Sequence, residues 1–187
     1  MININQKVND LEVEAYQDDE IKKIKLSDYK GKWLLLIFYP GDFTFVCPTY
    51  LEEAAEHYDE LQKLNVEVAS VSVDSVHTHK AWHDQSPAVS KARFPMLSDP
   101  TGQLCREFGT YIEAEGKSLR GNFIIDPDGV LKSLEINDND IGRSIKETIR
   151  KIKAAQFVRE HPGLVCPASW EPGQATLKPG LDLIGKI

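Results

Sequence analysis

Cysteine is scarce in this 187-residue chain: there are three, Cys47, Cys105 and Cys166, and no two of them form a Cys-x-x-Cys pair. That absence excludes the local dithiol of a disulfide-exchange centre. Without Cys/His sets at zinc-finger spacing, a structural zinc site of that kind is excluded as well. Clustered positive charge is also missing. Lys and Arg number 22 against 29 Asp and Glu, the net charge is −7, and no basic stretch breaks the balance, so nucleic acid is not an expected partner. No apolar run approaches the ~20 residues of a membrane span, and the first seven residues lack the apolar core of a signal peptide. Phosphate-binding glycine motifs and internal repeats are absent too. What remains is an ordinary globular composition, 41% hydrophobic and 27% charged. It suits one domain with an extended tail, expected in the cytoplasm and with no membrane partner.

The pattern along the chain alternates strands and helices. Residues 11–16 and 21–26 read as short strands, and 33–38 as a buried one. Residues 49–64 carry Leu51, Ala54, Ala55, Tyr58, Leu61 and Leu64 at helical spacing. A strand is expected over 66–73, a helix over 77–84, a short strand over 94–97 and a short helix over 101–108. Residues 119–125 and 130–136 flank the turn Asp126-Pro127-Asp128-Gly129 and predict a hairpin. A last helix is expected over 142–158, and the proline-rich stretch that follows reads as an irregular arm. Parallel strands joined by helices, plus an antiparallel pair, predict an α/β protein of thioredoxin-like fold. Its mixed sheet is covered by helices on both faces, with the domain over 1–159 and the arm over 160–187.

Within that frame Cys47 is the residue with the most chemistry. It ends the run Phe38-Tyr39-Pro40-Gly41-Asp42-Phe43-Thr44-Phe45-Val46-Cys47-Pro48-Thr49 and falls in the first turn of a helix that follows a strand. Unpaired amides and the positive end of the helix dipole favour a thiolate there. A thiolate that attacks a peroxide O–O bond becomes a sulfenic acid, which a second thiol condenses to a disulfide. Thr44, the helix-start amides and Arg120, at the head of a strand expected beside the first, are candidate donors to the developing oxygen charge. Cys166 suits the second thiol, whereas Cys105 reads as a semi-buried helix residue. His79 and His83 lie one helical turn apart, but no carboxylate or thiol is spaced to complete a metal site, so packing is the expectation.

Together these motifs resemble the typical 2-Cys peroxiredoxins, of the bacterial alkyl hydroperoxide reductase C type, over nearly the whole chain. The resemblance rests on Pro40-x-x-x-Thr44-x-x-Cys47, His79-Lys80-Ala81-Trp82-His83, Arg120-Gly121 before Phe123-Ile124-Ile125-Asp126, Gly142-Arg143-Ser144 and Val165-Cys166-Pro167-Ala168. It implies an antioxidant peroxidase for hydrogen peroxide and small organic hydroperoxides. Cys47 would be the peroxidatic thiol and Cys166 of the partner subunit the resolving one. Pro40 would shield the sulfur, Thr44 bond the peroxide and Arg120 polarise it, and Arg143 would hold a neighbouring carboxylate. The resemblance also implies a homodimer assembling into a decamer, with Thr78 and Trp82 near the dimer–dimer contact. The implied reductant is a thioredoxin-like dithiol protein or a flavin-containing disulfide reductase; no cofactor and no metal are implied.

One position departs from the pattern: Tyr50 stands where such proteins usually carry a carboxylate, which questions the network around Arg120 and Arg143. The segment before Arg93-Phe94-Pro95-Met96-Leu97 lacks a Gly-Gly-Leu-Gly insertion and the tail lacks a Tyr-Phe ending. In the peroxide-sensitive relatives those two features slow unfolding of the active-site helix, so the resemblance implies rapid disulfide formation and resistance to overoxidation here. The competing reading is a redox-sensing or holdase protein on the same scaffold.

Overall fold

The strand Trp33–Phe38 (β3) is apolar at every position and buried at every position, which places it in the middle of a sheet. The computed structural model describes residues 1–186, and its main sheet has seven strands. These are β1 (Glu12–Gln17), β2 (Glu20–Lys25), β3, β4 (Val66–Ser72), β5 (Met96–Ser98), β8 (Arg120–Ile125) and β9 (Leu131–Asn137), in the order β2-β1-β5-β4-β3-β8-β9. A separate ribbon pairs β6 (Tyr111–Ile112) with β7 (Lys117–Ser118). The β3–β4 and β4–β5 pairs are parallel and the others antiparallel. The chain therefore has the mixed thioredoxin-like sheet expected from its sequence.

Alternation along β3 divides its side chains between two layers. Leu34, Leu36 and Phe38 join one core with Ala69, Val71, Phe123 and Ile125, closed by Leu104, Cys105 and Phe108 from in and beside α4 (Gln103–Glu107). Phe38, Phe108 and Phe123 meet there with ring centroids 4.8–5.2 Å apart. Helices α1 (Cys47–Glu56) and α2 (Tyr58–Lys63) bury Leu51, Ala54, Ala55, Tyr58 and Leu61, and α3 (Val76–Gln85) starts at Ser75, whose hydroxyl caps the Thr78 amide. The helix expected over 49–64 is thus interrupted at His57. The apolar stripe runs through that residue without a gap, so periodicity held no mark of the break.

The chain divides into two units, Met1–Ile145 and Lys146–Ile187. In the second, helix α5 (Ile145–Glu160) continues past the boundary and the arm folds back on it. Arg150 donates through Nε and Nη2 to Glu147 (2.7 and 2.8 Å) and through Nη1 to the Trp170 carbonyl (3.1 Å). The Trp170 ring lies 4.8 Å from Phe157, and a bridge between Val165 and Leu177 closes the loop that carries Cys166. Among the described residues no helix is long and apolar enough to cross a membrane.

Candidate active site

Strand β3 delivers the chain to Pro40, which is buried, and the loop 40–46 leads to Cys47, the first residue of α1. Pro48 follows, where its missing N–H costs no helical bond. The loop is held from below by buried polar groups. Asp42, whose side chain is fully buried, accepts from Tyr39 Oη (2.8 Å) and pairs with the fully buried His79 Nδ1 on α3 (2.7 Å). The other ring nitrogen of His79 meets the Leu97 carbonyl at 3.2 Å. With oxygen acceptors on both sides, the pair holds a proton between Asp42 and His79 in addition to the one directed at Leu97. Burial pushes the Asp42 carboxyl above its usual range, and His79 works against that shift. The Asp42 amide donates to Asp74 Oδ2 (2.8 Å), which also accepts from Ser72.

At the top of the loop, Phe43 adopts a left-handed backbone (φ 54°), a costly conformation for an aromatic residue. Its ring lies 6.2 Å from that of Trp82, which also meets Tyr39. Trp82 is itself only 3% exposed, whereas neighbouring Phe45 is 93% exposed. Thr44 Oγ1 donates to the Gly41 carbonyl (2.9 Å), and Thr78 Oγ1 meets Ser75 Oγ. His83 lies against Tyr16 and the Ala92 carbonyl.

Cys47 is 1% exposed and Arg120 4% exposed, and they meet directly: Arg120 Nη1 donates to Cys47 Sγ at 3.2 Å. Arg120 Nε is anchored on the Asn139 carbonyl (2.8 Å). Because β8 runs antiparallel to β3, its first residue lies beside the end of β3, where the thiol loop begins. Gly121 is required at the next position, since a Cβ there would stand 2.7 Å from the Phe123 ring. Arg143 donates through Nη1 to the Gly121 carbonyl and to Asn122 Oδ1, and its guanidinium lies over the Tyr50 ring, 4.4 Å from the centroid. Tyr50 Oη accepts from Asn122 Nδ2 (2.6 Å). Burial pulls the Arg143 guanidinium down to about 10; Arg120 adds to the shift and Tyr50 opposes it. A cleft of about 340 Å³ is lined by Val46, Thr49, Tyr50, Glu53, Arg120, Gly142 and Arg143.

The family model for AhpC/TSA matches residues 4–134, and that for the C-terminal domain of 1-Cys peroxiredoxin matches residues 154–183. The chain belongs to the AhpC/TSA family. Alkyl hydroperoxide reductase C of Pseudomonas aeruginosa is 50% identical to it over 184 residues, 98% of each chain, and that of Escherichia coli K12 is 48% identical with the same coverage. The crystal structure of Enterococcus faecalis AhpC superposes with a TM-score of 0.86 at 51% identity, covering 89% of this chain and 100% of that one. The reduced 2-Cys peroxiredoxin of Plasmodium vivax gives 0.91 at 33% identity, covering 96% and 94%.

In this AhpC/TSA protein, then, Cys47, Arg120, Tyr50 and Arg143 form one connected cluster, with Thr44 and Pro40 in the loop that feeds it. Cys166 lies in the second unit, 4.0 Å from the Ala154 carbonyl, and burial raises its thiol while Arg150 opposes the shift. Sequence reasoning passed over Asp42 and Asn122. Asp42 lies 37 residues from its partner His79, so no local spacing could mark the pair. Asn122 had only one signal, its place two residues after Arg120 on the same face of β8.

Proposed function

We propose that this AhpC/TSA protein is a thiol peroxidase that reduces hydrogen peroxide and small organic hydroperoxides in antioxidant defence. The observation that carries the reading is the buried contact between Arg120 and Cys47 at the start of α1. The Cys47 thiolate attacks the terminal peroxide oxygen. An S–O bond forms, the O–O bond breaks, and the departing oxygen takes a proton to leave as water or alcohol. Arg120, already aimed at the sulfur, can stabilise negative charge on the leaving oxygen. Thr44 serves the peroxide by turning its hydroxyl from the Gly41 carbonyl, and buried Pro40 helps to keep water from the sulfur.

Cys166 of a partner subunit then condenses with the sulfenic acid, giving an intersubunit disulfide and releasing water. With Cys47 1% exposed, the first turn of α1 must open before the sulfur reaches any other chain. The disulfide is recycled by a thioredoxin-like dithiol protein or a flavin-containing disulfide reductase in the cytoplasm. The working assembly is a homodimer built into a decamer, where exposed Phe43 and Phe45, backed by Trp82 and α3 with Thr78, offer apolar surface for the dimer–dimer contact.

Peroxide treatment of the wild type, Cys47→Ser and Cys166→Ser on a non-reducing gel tests the cycle. A linked dimer in the wild type alone, reversed by a dithiol, is expected. A dimer that survives loss of Cys47 rejects the mechanism.

A further inference from the structure

Arg120 touches the Cys47 sulfur and Arg143 acts on the same site through space, and no carboxylate among the described residues lies within ion-pair distance of either guanidinium. Their oxygen partners are the carbonyls of Asn139 and Gly121 and the amide oxygen of Asn122. Arg143 Nε is buried with no acceptor at all. Beneath Arg143 lies Tyr50, whose ring face gives it a cation–π contact but no counter-charge. Two carboxylates stand near. Glu53 is exposed at the rim of the cleft, with Oε2 3.4 Å from the Ile145 amide, and Glu135 on β9 acts on Arg143 through space. For Arg143, a half-buried cation whose inner Nε has no acceptor and no anion at contact distance is a costly arrangement, and a guanidinium fork with a vacant N–H suits a carboxylate.

We propose that the cleft between Arg120, Arg143 and Tyr50 is a carboxylate subsite, so that the protein favours small hydroperoxides carrying a carboxylate over neutral ones. The inference rests on the peroxidase reading and narrows its substrate class. Arg120 connects the two halves of the substrate: it lines the cleft and donates to Cys47 Sγ, so a carboxylate in the cleft and a peroxide at the sulfur share one guanidinium. The cleft is small and is closed in by Val46, Thr49 and Gly142 beside the two arginines, which suits a short chain. The reaction is otherwise unchanged. The sulfur is oxidised by two electrons, the O–O bond breaks, the alkoxide takes a proton to become the alcohol, and the carboxylate leaves as it came.

The test uses a matched pair, a tertiary alkyl hydroperoxide ending in a carboxylate and its methyl ester. The rate constant for Cys47 oxidation is read by tryptophan fluorescence on the full chain, with hydrogen peroxide as control. A charge-assisted contact predicts an acid-to-ester ratio of roughly tenfold or more. The ratio is taken within each protein, so a general loss of activity cancels. It should fall towards one in Arg143→Gln, and in Tyr50→Glu, which supplies an internal carboxylate beneath Arg143. A wild-type ratio of one or less, or a ratio that neither variant changes, overturns the subsite.

Propionate binding to Cys47→Ser, measured by calorimetry, gives a readout that needs no turnover. Binding is expected, with loss when Arg143→Gln is added; no binding to Cys47→Ser also overturns the proposal. Failure of the peroxidase reading looks different, since hydrogen peroxide itself would then leave Cys47 unoxidised.

Discussion

Cys47 and Cys105 are equally hidden, 1% and 0% exposed, yet their surroundings differ in kind. Cys47 opens a ten-residue helix and receives an N–H from Arg120. Cys105 lies inside the five-residue α4 among Leu104, Phe108 and the aromatic core, with Asp99 accepting from its amide. Burial first, and Asp99 second, push the Cys105 thiol up to about 12. Depth alone therefore says little about a thiol. A cation at contact distance and a position at a helix start separate a reactive sulfur from one that behaves as a small hydrophobe.

Exchanging the two thiols for inert residues should break the comparison most sharply. Cys47→Ser should lower peroxide consumption at least about a thousandfold, whereas Cys105→Ala should leave the rate within about twofold. Equal losses would show that burial, not the local donors, sets reactivity. Removing the cation alone comes next. Arg120→Gln should cost about 10²–10³-fold in the rate of Cys47 oxidation, followed by stopped-flow fluorescence, because one donor to developing charge is worth that much elsewhere.

The third effect is on stability. His79→Ala leaves Asp42 buried without its partner and should cost about 3–5 kcal/mol in urea unfolding. Iodoacetamide labelling of the native variant should quicken at Cys47 and stay unchanged at Cys105. Equal acceleration at both thiols would mean that the pair supports the whole core rather than the loop.

The smallest effect belongs to Cys105. Its thiol rises from the usual 9.0 to about 12 on folding, so the folded state holds its proton more tightly. That contribution is complete below about pH 9 and declines as pH rises towards 12. Between pH 8 and 10 the wild type should lose about 1 kcal/mol more than Cys105→Ala. Parallel stability curves would contradict the shift.

Much of this could be read from the residues. The unbroken apolar run at 33–38 marked the central strand, Pro-Asp-Gly chemistry marked the β8–β9 hairpin, and Cys47 fell at the helix start where its motif placed it. What escaped was of two kinds. The ribbon of β6 and β7 has two residues per strand, too few to show a period. The Asp42–His79 pair and the Asn122–Tyr50 contact join residues 37 and 72 positions apart, and a single sequence carries no sign of which distant polar groups share a buried space. Tyr50 was visible as a departure. Its stacking under Arg143 became visible only when β8 and the 138–144 loop were brought beside α1.

The anchor at Asp42 also sets a leash. When α1 unwinds, Asp42 stays tied to His79 and Asp74, and Leu51 stays in its core layer, so only the eight residues between them are released. Four residue steps separate Cys47 from Leu51, and fully extended backbone covers about 3.5 Å per residue, a radius of about 14 Å. Whatever thiol completes the cycle must enter that sphere, so the range of the chemistry is a matter of tether length.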